Sequence, residues 1–213
     1  MHFLSPDLED YIAKHSQKEP EILQELDRET HLKVVSPRML SGHVQGRFLS
    51  QISHMMQPKR ILEIGTYTGY SALCLAEGLA KDGELHTIDI NEELESFVAK
   101  YISKARLENQ ITQHIGKALD IIPTLNETWD IVFIDADKPN YSNYYHAVID
   151  SVRPGGIILT DNVLWSGKVV QNLEKPDKST KALLEFNKMV QNDNRVDNVL
   201  VGIRDGLMLA RKL

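Results

Sequence analysis

Short apolar segments alternate with amphipathic helical patterns over residues 60–162, and this alternation leaves few folds open to the chain. The apolar segments lie at 60–65, 84–90, 111–116, 129–135 and 155–162. Between two of them, Leu94, Val98 and Ile102 recur at helical spacing after Asn91, which can cap a helix. Repeated strand–helix units predict a mostly parallel sheet with helices on both faces, a Rossmann-like α/β fold.

The end of the chain follows a different pattern. Two apolar segments at 196–203 and 206–212 are joined by a very short Arg-Asp-Gly connection at 204–206. Such a short connection is typical of a β-hairpin. We therefore expect the last strand to run antiparallel to its neighbour.

The first 58 residues have a helical pattern instead. Ser5 and Pro6 suit the start of one helix, Pro20 opens a second, and a third is expected over about 41–56. No Gly/Ser-rich linker follows. We predict a helical extension (1–58) packed on an α/β domain (59–213) as one domain overall, where it serves as a lid, a homodimer surface or both.

Composition excludes several classes of protein. The net charge of −6 over 213 residues argues against a protein that coats nucleic acid. Nowhere do about eighteen apolar residues run together, so we expect no membrane span. Cys74 is the single cysteine, which excludes an internal disulfide and indicates a reducing compartment. Because the first residues are also not those of a secretory signal, we expect a soluble, cytoplasmic protein.

A glycine-containing loop follows the first predicted strand and leads into a helix. Its sequence, Glu-Ile-Gly-Thr-Tyr-Thr-Gly-Tyr-Ser at 63–71, lacks the middle glycine of a dinucleotide-binding motif. Glu63 is unsuited to phosphate and suited to a cationic or hydroxyl-bearing ligand. Asp89 ends the second strand, where an acid can bind ribose hydroxyls. The loop therefore predicts the binding of a nucleoside that carries a positive group. The alternative is that its glycines only form a tight turn.

Oxygen-bearing side chains end two later strands. Asp135 follows the fourth, and Asp161 and Asn162 end the fifth. Two carboxylates brought together repel each other unless a cation lies between them, and oxygen ligands favour Mg²⁺, Ca²⁺ or Mn²⁺ over zinc. The alternative is that these acids cap the following helices. Lys138 lies within reach of the same point, where a nearby dication would favour its neutral amine as a base.

These residues together resemble the cation-dependent class I O-methyltransferases that use S-adenosylmethionine, specifically the caffeoyl-CoA/catechol O-methyltransferase-like family. The resemblance covers nearly the whole chain, beginning at 39–41 and Gln45-Gly46. It is most specific in Asp-Ala-Asp-Lys-Pro-Asn-Tyr at 135–141 and Asp-Asn-Val-Leu-Trp at 161–165. It implies a methyltransferase sheet that is mostly parallel, with the last strand antiparallel.

The resemblance also implies a role for each matching residue. Residues implied to bind S-adenosylmethionine are Ser41, Glu63, Gly65, Thr66, Ser71, Asp89, Ala118 and Asp135. Those implied to bind the divalent cation are Asp135, Asp161 and Asn162, and Lys138 and Asp135 are the catalytic residues. The acceptor, a small molecule with two adjacent hydroxyls, would meet Lys138, Asn162, Trp165 and Ser166, the last standing where plant members tend to carry Asn.

Two other functions compete with this hypothesis. One is a nicotinamide-dependent oxidoreductase, against which the missing middle glycine and Glu63 both argue. The other is a scaffold that binds S-adenosylmethionine without catalysis, against which Lys138 and the three oxygen ligands argue.

Overall fold

A computed structural model describes residues 4–171 and 175–213, so the first three residues of the predicted extension lie outside it. Over these residues one sheet of seven strands forms in the order β3-β2-β1-β4-β5-β7-β6. β7 runs antiparallel to both of its neighbours, β5 and β6, and the other strand pairs are parallel. The strands are β1 (Arg60–Ile64), β2 (Glu84–Asp89), β3 (Ile111–Ile115), β4 (Trp129–Ile134), β5 (Val152–Asp161), β6 (Val196–Val201) and β7 (Leu207–Lys212). The predicted fold class is confirmed.

Helices cover both faces of this sheet, because its central strands bury apolar residues on both sides. In β4, Ile131 and Phe133 face one hydrophobic cluster, whereas Val132 and Ile134 face the other. The first cluster includes α2 to α5, and the second includes α6 to α8. The helices are α1 (Pro6–Lys14), α2 (Glu21–Lys33), α3 (Gly42–Met56), α4 (Tyr70–Ala76), α5 (Glu95–Lys104), α6 (Ala118–Leu125), α7 (Tyr141–Val148) and α8 (Lys178–Gln191).

Two strand boundaries differ from the sequence prediction by more than one residue. β5 begins at Val152 rather than near residue 155, because the strand continues through Pro154 and Gly155 with a register shift against β4. The hairpin connection spans 202–206 and is longer than predicted, because part of its backbone hydrogen-bonds to the segment after β5 instead of continuing the β6–β7 pairing. Within it, the carbonyls of Asp205 and Gly206 accept from the backbone N–H groups of 164 and 163.

The N-terminal helices pack against the first cluster. α3 lies along α4, with Leu49 fully buried and Gly46 so close to Tyr70 that a Cβ would lie 2.6 Å from Cε1 of the ring. α1 buries none of its residues, although Ser5 caps it as predicted. In the part of the chain described, no helix combines the length and apolar character needed to cross a bilayer. The boundary at residue 58 and the lid or dimer role stay predictions.

Candidate functional site

The predicted site residues of the loops lie at the carboxyl ends of β1, β2, β4 and β5. Strand order reverses between β1 and β4, which is where open α/β sheets bind ligands. The two loops meet tightly at this point. A Cβ on Gly65 would lie 2.0 Å from the carbonyl oxygen of Asp135, and Gly65 has a φ of +101°. Only glycine permits both the backbone conformation and the close approach.

Glu63 is fully buried beneath the glycine loop. Its two oxygens accept hydrogen bonds from Ser71 Oγ (2.6 Å) and Thr87 Oγ1 (2.5 Å). Burial raises the pKa of Glu63 to about 8, an effect that the two hydroxyl donors oppose and the charges of Asp135 and Asp89 reinforce. A cation beside this carboxyl would favour its charged form.

Asp89 holds the glycine loop in place. Its Oδ2 accepts hydrogen bonds from the backbone N–H of Thr66 (3.0 Å) and Tyr67 (2.7 Å), and its Oδ1 accepts from the N–H of Asn91 (2.9 Å). A carboxylate offers about four lone-pair positions, so little capacity is left. Asp89 therefore organises the loop, and one further donor can still reach it.

Two predicted cofactor residues lie on other elements. Ser41 is buried at the N-cap position of α3, where its hydroxyl makes no capping hydrogen bond to the helix. Ala118 begins α6, directly after the carboxyl end of β3 and the turn at Gly116, and is also buried. Both stand at helix starts, where free backbone N–H groups are available.

Lys138 lies among the predicted cation ligands, which end or follow β4 and β5, and we call these four residues the Lys138 group. Its Nζ contacts Asp135 Oδ1 (3.0 Å), Asn162 Oδ1 (2.9 Å), the hydroxyl of Tyr141 (2.5 Å) and the carbonyl of Ala136 (3.2 Å). Its side chain is only 10% exposed. The structure therefore brings two of the three predicted cation ligands to one positively charged atom.

Asp161, the third predicted ligand, is buried and is held from three directions. Its Oδ2 accepts a hydrogen bond from Gln45 Nε2 (2.7 Å), and its Oδ1 accepts from the backbone N–H of Asn162 (2.8 Å). The Tyr141 hydroxyl donates to its backbone carbonyl (2.9 Å). Burial, and then the charge of Asp135, raise the pKa of Asp161. The carboxyl group thus lies where added positive charge would stabilise its ionised form.

The oxygen ligands offered by Asp135, Asp161 and Asn162 fit a hard divalent cation. They are two carboxylates and one amide oxygen, with one carboxylate and the amide already turned toward the Lys138 ammonium. Within 4–171 and 175–213, no group of three His, Cys, Asp or Glu side chains forms a metal site, so the predicted set depends on the amide of Asn162.

The segment after β5 has a constrained backbone. Asn162, Trp165 and Ser166 have positive φ angles of 58°, 48° and 53°. The carboxylate of Asp205 accepts a hydrogen bond from the Ser166 N–H (2.5 Å). The Trp165 ring centre lies 6.0 Å from Lys138 Nζ, and its buried Nε1 has no hydrogen-bond partner. Trp165 thus lies beside the Lys138 group, with a free donor.

Sequence reasoning assigned no role to three residues of the site. Thr87 lies two positions before Asp89 on the same strand, a spacing that could have indicated a shared face. Tyr141 ends the motif at 135–141, which predicts no contact for it, and its hydroxyl joins Lys138 to the backbone carbonyl of Asp161. Gln45 lies 116 positions from Asp161, and no local signal links them.

Known proteins similar to this chain agree on its family. A family model described as O-methyltransferase matches residues 13–213. Caffeoyl-CoA O-methyltransferase 5 of Nicotiana tabacum is 35% identical over 92% of this chain and 86% of its own length. Caffeoyl-CoA O-methyltransferase 1 of Arabidopsis thaliana is 34% identical over 98% of this chain and 85% of its own.

Solved structures show the same likeness. The O-methyltransferase TomG from Streptomyces achromogenes, involved in tomaymycin synthesis and solved in complex with SAM, superposes with a TM-score of 0.89. It is 30% identical over 97% of this chain and 96% of its own. The O-methyltransferase from Bacillus cereus, in complex with SAH, has a TM-score of 0.85 at 28% identity over 97% of each chain.

Proposed function

The chain belongs to the O-methyltransferase family, and from this premise we propose that it transfers a methyl group from S-adenosylmethionine to one hydroxyl of a small catechol-like acceptor, with the help of a divalent cation. The observation that carries the proposal is the pair of adjoining groups at the strand ends. A buried carboxyl under a glycine loop lies on one side of Gly65, and an oxygen-rich group around Lys138 lies on the other.

The first group suits the donor molecule. S-adenosylmethionine carries an ammonium group, which the charge of Glu63 can stabilise. It also carries ribose hydroxyls, one of which can donate a hydrogen bond to Asp89. Its sulfonium supplies the methyl group for a direct displacement. TomG and the Bacillus cereus enzyme, solved with SAM and SAH, support this choice of donor.

The second group suits the acceptor. Asp135, Asp161 and Asn162 would hold the cation, which when bound supplies Lewis acidity to neighbouring hydroxyl oxygens. Lys138 Nζ, as a neutral amine, would accept the proton of the attacked hydroxyl. The indole of Trp165 would form one wall and Ser166 would contact the acceptor, so that the reacting oxygen is held in line with the methyl group, an effect worth several kcal/mol.

The test is methyl transfer from labelled S-adenosylmethionine to protocatechuic acid, with Mg²⁺ and again with EDTA. We expect labelled product only with metal. Para-hydroxybenzoic acid, which cannot chelate through two hydroxyls, is the matched control and should be a poor acceptor. Transfer that survives EDTA would remove the metal role from the oxygen ligands, and no transfer with cofactor bound would favour another acceptor or a protein that only binds.

A further inference from the structure

Gln45 connects the N-terminal helix α3 with the candidate cation site. Its Nε2 donates a hydrogen bond of 2.7 Å to Oδ2 of Asp161, and both side chains are buried. Among the hydrogen bonds of the residues described, it is the one side chain that donates to this carboxylate. The other oxygen, Oδ1, accepts a hydrogen bond from the adjacent backbone N–H of Asn162. Gln45 therefore determines the orientation of the Asp161 carboxylate.

The position of Gln45 is itself fixed by packing. The next residue, Gly46, lies against α4 so closely that a Cβ there would meet Cε1 of Tyr70 at 2.6 Å and Sγ of Cys74 at 2.9 Å. α3 therefore has one register against α4. That register places the Gln45 amide beside Asp161. The amide therefore comes from a helix that is distant in sequence from β4 and β5, the strands that carry the predicted cation ligands.

A neutral amide is chemically suited to this place. It donates to a carboxylate and adds no charge, whereas a lysine there would repel a dication and a glutamate would repel Asp161. Groups that hydrogen-bond a metal ligand fix its direction, and their loss typically weakens metal binding about 10–100-fold.

We propose that Gln45 is a positioning residue that orients Asp161 toward the divalent cation and thereby couples the seating of α3 to cation affinity. This inference rests on the proposed function, since it needs a cation at Asp161. Gln45 acts through Asp161 and needs no contact with the donor or the acceptor.

The experiment measures Mn²⁺ affinity by electron paramagnetic resonance in the wild type, Gln45→Met and Asp161→Ala. Methionine retains the size of glutamine and its compatibility with a helix but lacks the amide donor. The matched control is Gln51→Met, the same change at an exposed position of α3. Calorimetry of S-adenosylhomocysteine binding without metal serves as the second measurement on each protein.

We expect Gln45→Met to weaken Mn²⁺ binding about 10–100-fold and to change the spectrum of the bound ion, while S-adenosylhomocysteine affinity stays within about twofold. Gln51→Met should match the wild type. Unchanged Mn²⁺ affinity in Gln45→Met, with binding lost in Asp161→Ala, would overturn the inference alone. If Asp161→Ala binds Mn²⁺ as well as the wild type, the proposed function fails at its cation site. A parallel loss of both ligands in Gln45→Met would instead mean that the residue only supports the fold.

Discussion

Glu63 and Asp161 are both buried carboxyl groups at the ends of parallel strands, yet the chain supports them differently. Glu63 receives hydroxyl donors from α4 and β2, the elements next to it in the fold. Asp161 receives an amide from α3, a helix of the N-terminal part, and lies near a second carboxylate and a lysine. We call the residues around Glu63 and Asp89 the cofactor half of the site, and those around Asp161 and Lys138 the acceptor half. The Glu63 carboxyl is thus held by neighbouring elements, whereas the Asp161 carboxyl depends on a distant one.

This difference indicates how the two halves respond to change. The two hydroxyl groups hydrogen-bond the Glu63 carboxyl but carry no charge that would pair with it, and burial favours its neutral, protonated form. Around Lys138, by contrast, oppositely charged groups are in direct contact. We expect damage in the acceptor half to change cation binding and turnover, and damage in the cofactor half to change stability and cofactor binding.

The largest expected effect comes from Asp161→Ala. Removing this ligand should lower turnover at least about a thousandfold, because Lewis-acid stabilisation of the transition state is worth several kcal/mol. S-adenosylhomocysteine binding, measured by calorimetry, should be nearly unchanged. If cofactor binding were lost together with turnover, the two halves would not be separable and the comparison would fail.

Gly65→Ala tests the point where the halves touch. The added Cβ would lie 2.0 Å from the Asp135 carbonyl oxygen at a φ of +101°, so both backbone strain and overpacking oppose it. We expect a loss of about 3–5 kcal/mol in the free energy of unfolding by urea. Gly202→Ala is the control, because nothing lies within 4 Å of its Cβ. Equal stabilities of the two variants would contradict the close packing of Gly65 against the Asp135 carbonyl.

Glu63 predicts a pH dependence of stability for the protein without cofactor. Its pKa rises to about 8 in the folded state from 4.5, so the folded state binds more protons than the unfolded state between these values. The free energy of unfolding should therefore fall as pH rises from 5 to 8, by about 2–4 kcal/mol from this group. In Glu63→Gln, thermal or urea unfolding should lose that part of the slope. An unchanged slope would assign the dependence to other groups.

Sequence periodicity predicted most of the fold because each feature it used is local. The strands began or ended within a few residues of their predicted bounds, and β7 ran antiparallel as the short connection indicated. The predicted β5 begins only after Pro154, a residue that normally interrupts strands, whereas here a register shift against β4 accommodates it.

The candidate site could be predicted only in part, for the same physical reason. Glu63 and Asp89 lie at the ends of predicted strands and Asp135 directly follows one, so their place at one edge of the sheet could be predicted from the pattern. The hydrogen bond from Gln45 depends on the register of α3 against α4, which side-chain packing sets and no periodicity encodes. Likewise, the orientation of the Tyr141 hydroxyl toward Lys138 appears only once α7 is packed.

Lys138→Met gives the smallest expected change in binding affinity and sharpens the comparison most. The Lys138 ammonium contacts Asp135 Oδ1 and Asn162 Oδ1, two oxygens that the cation would also use. A cation must therefore displace the Lys138 amino group from both oxygens, so removing this side chain should tighten Mn²⁺ binding about tenfold, equivalent to ~1.4 kcal/mol.

Turnover of the same variant should fall, because the proton acceptor is lost, and a general base contributes about 10²–10⁴-fold. Opposite changes in cation affinity and turnover are hard to produce by general damage to the fold. Lys168→Met is the matched control, since Lys168 Nζ lies 5.8 Å from the same Trp165 ring but pairs with Asp177 instead. Weaker Mn²⁺ binding in Lys138→Met would mean that the lysine helps to assemble the ligands, and the acceptor half would then depend on its charge even with the cation present.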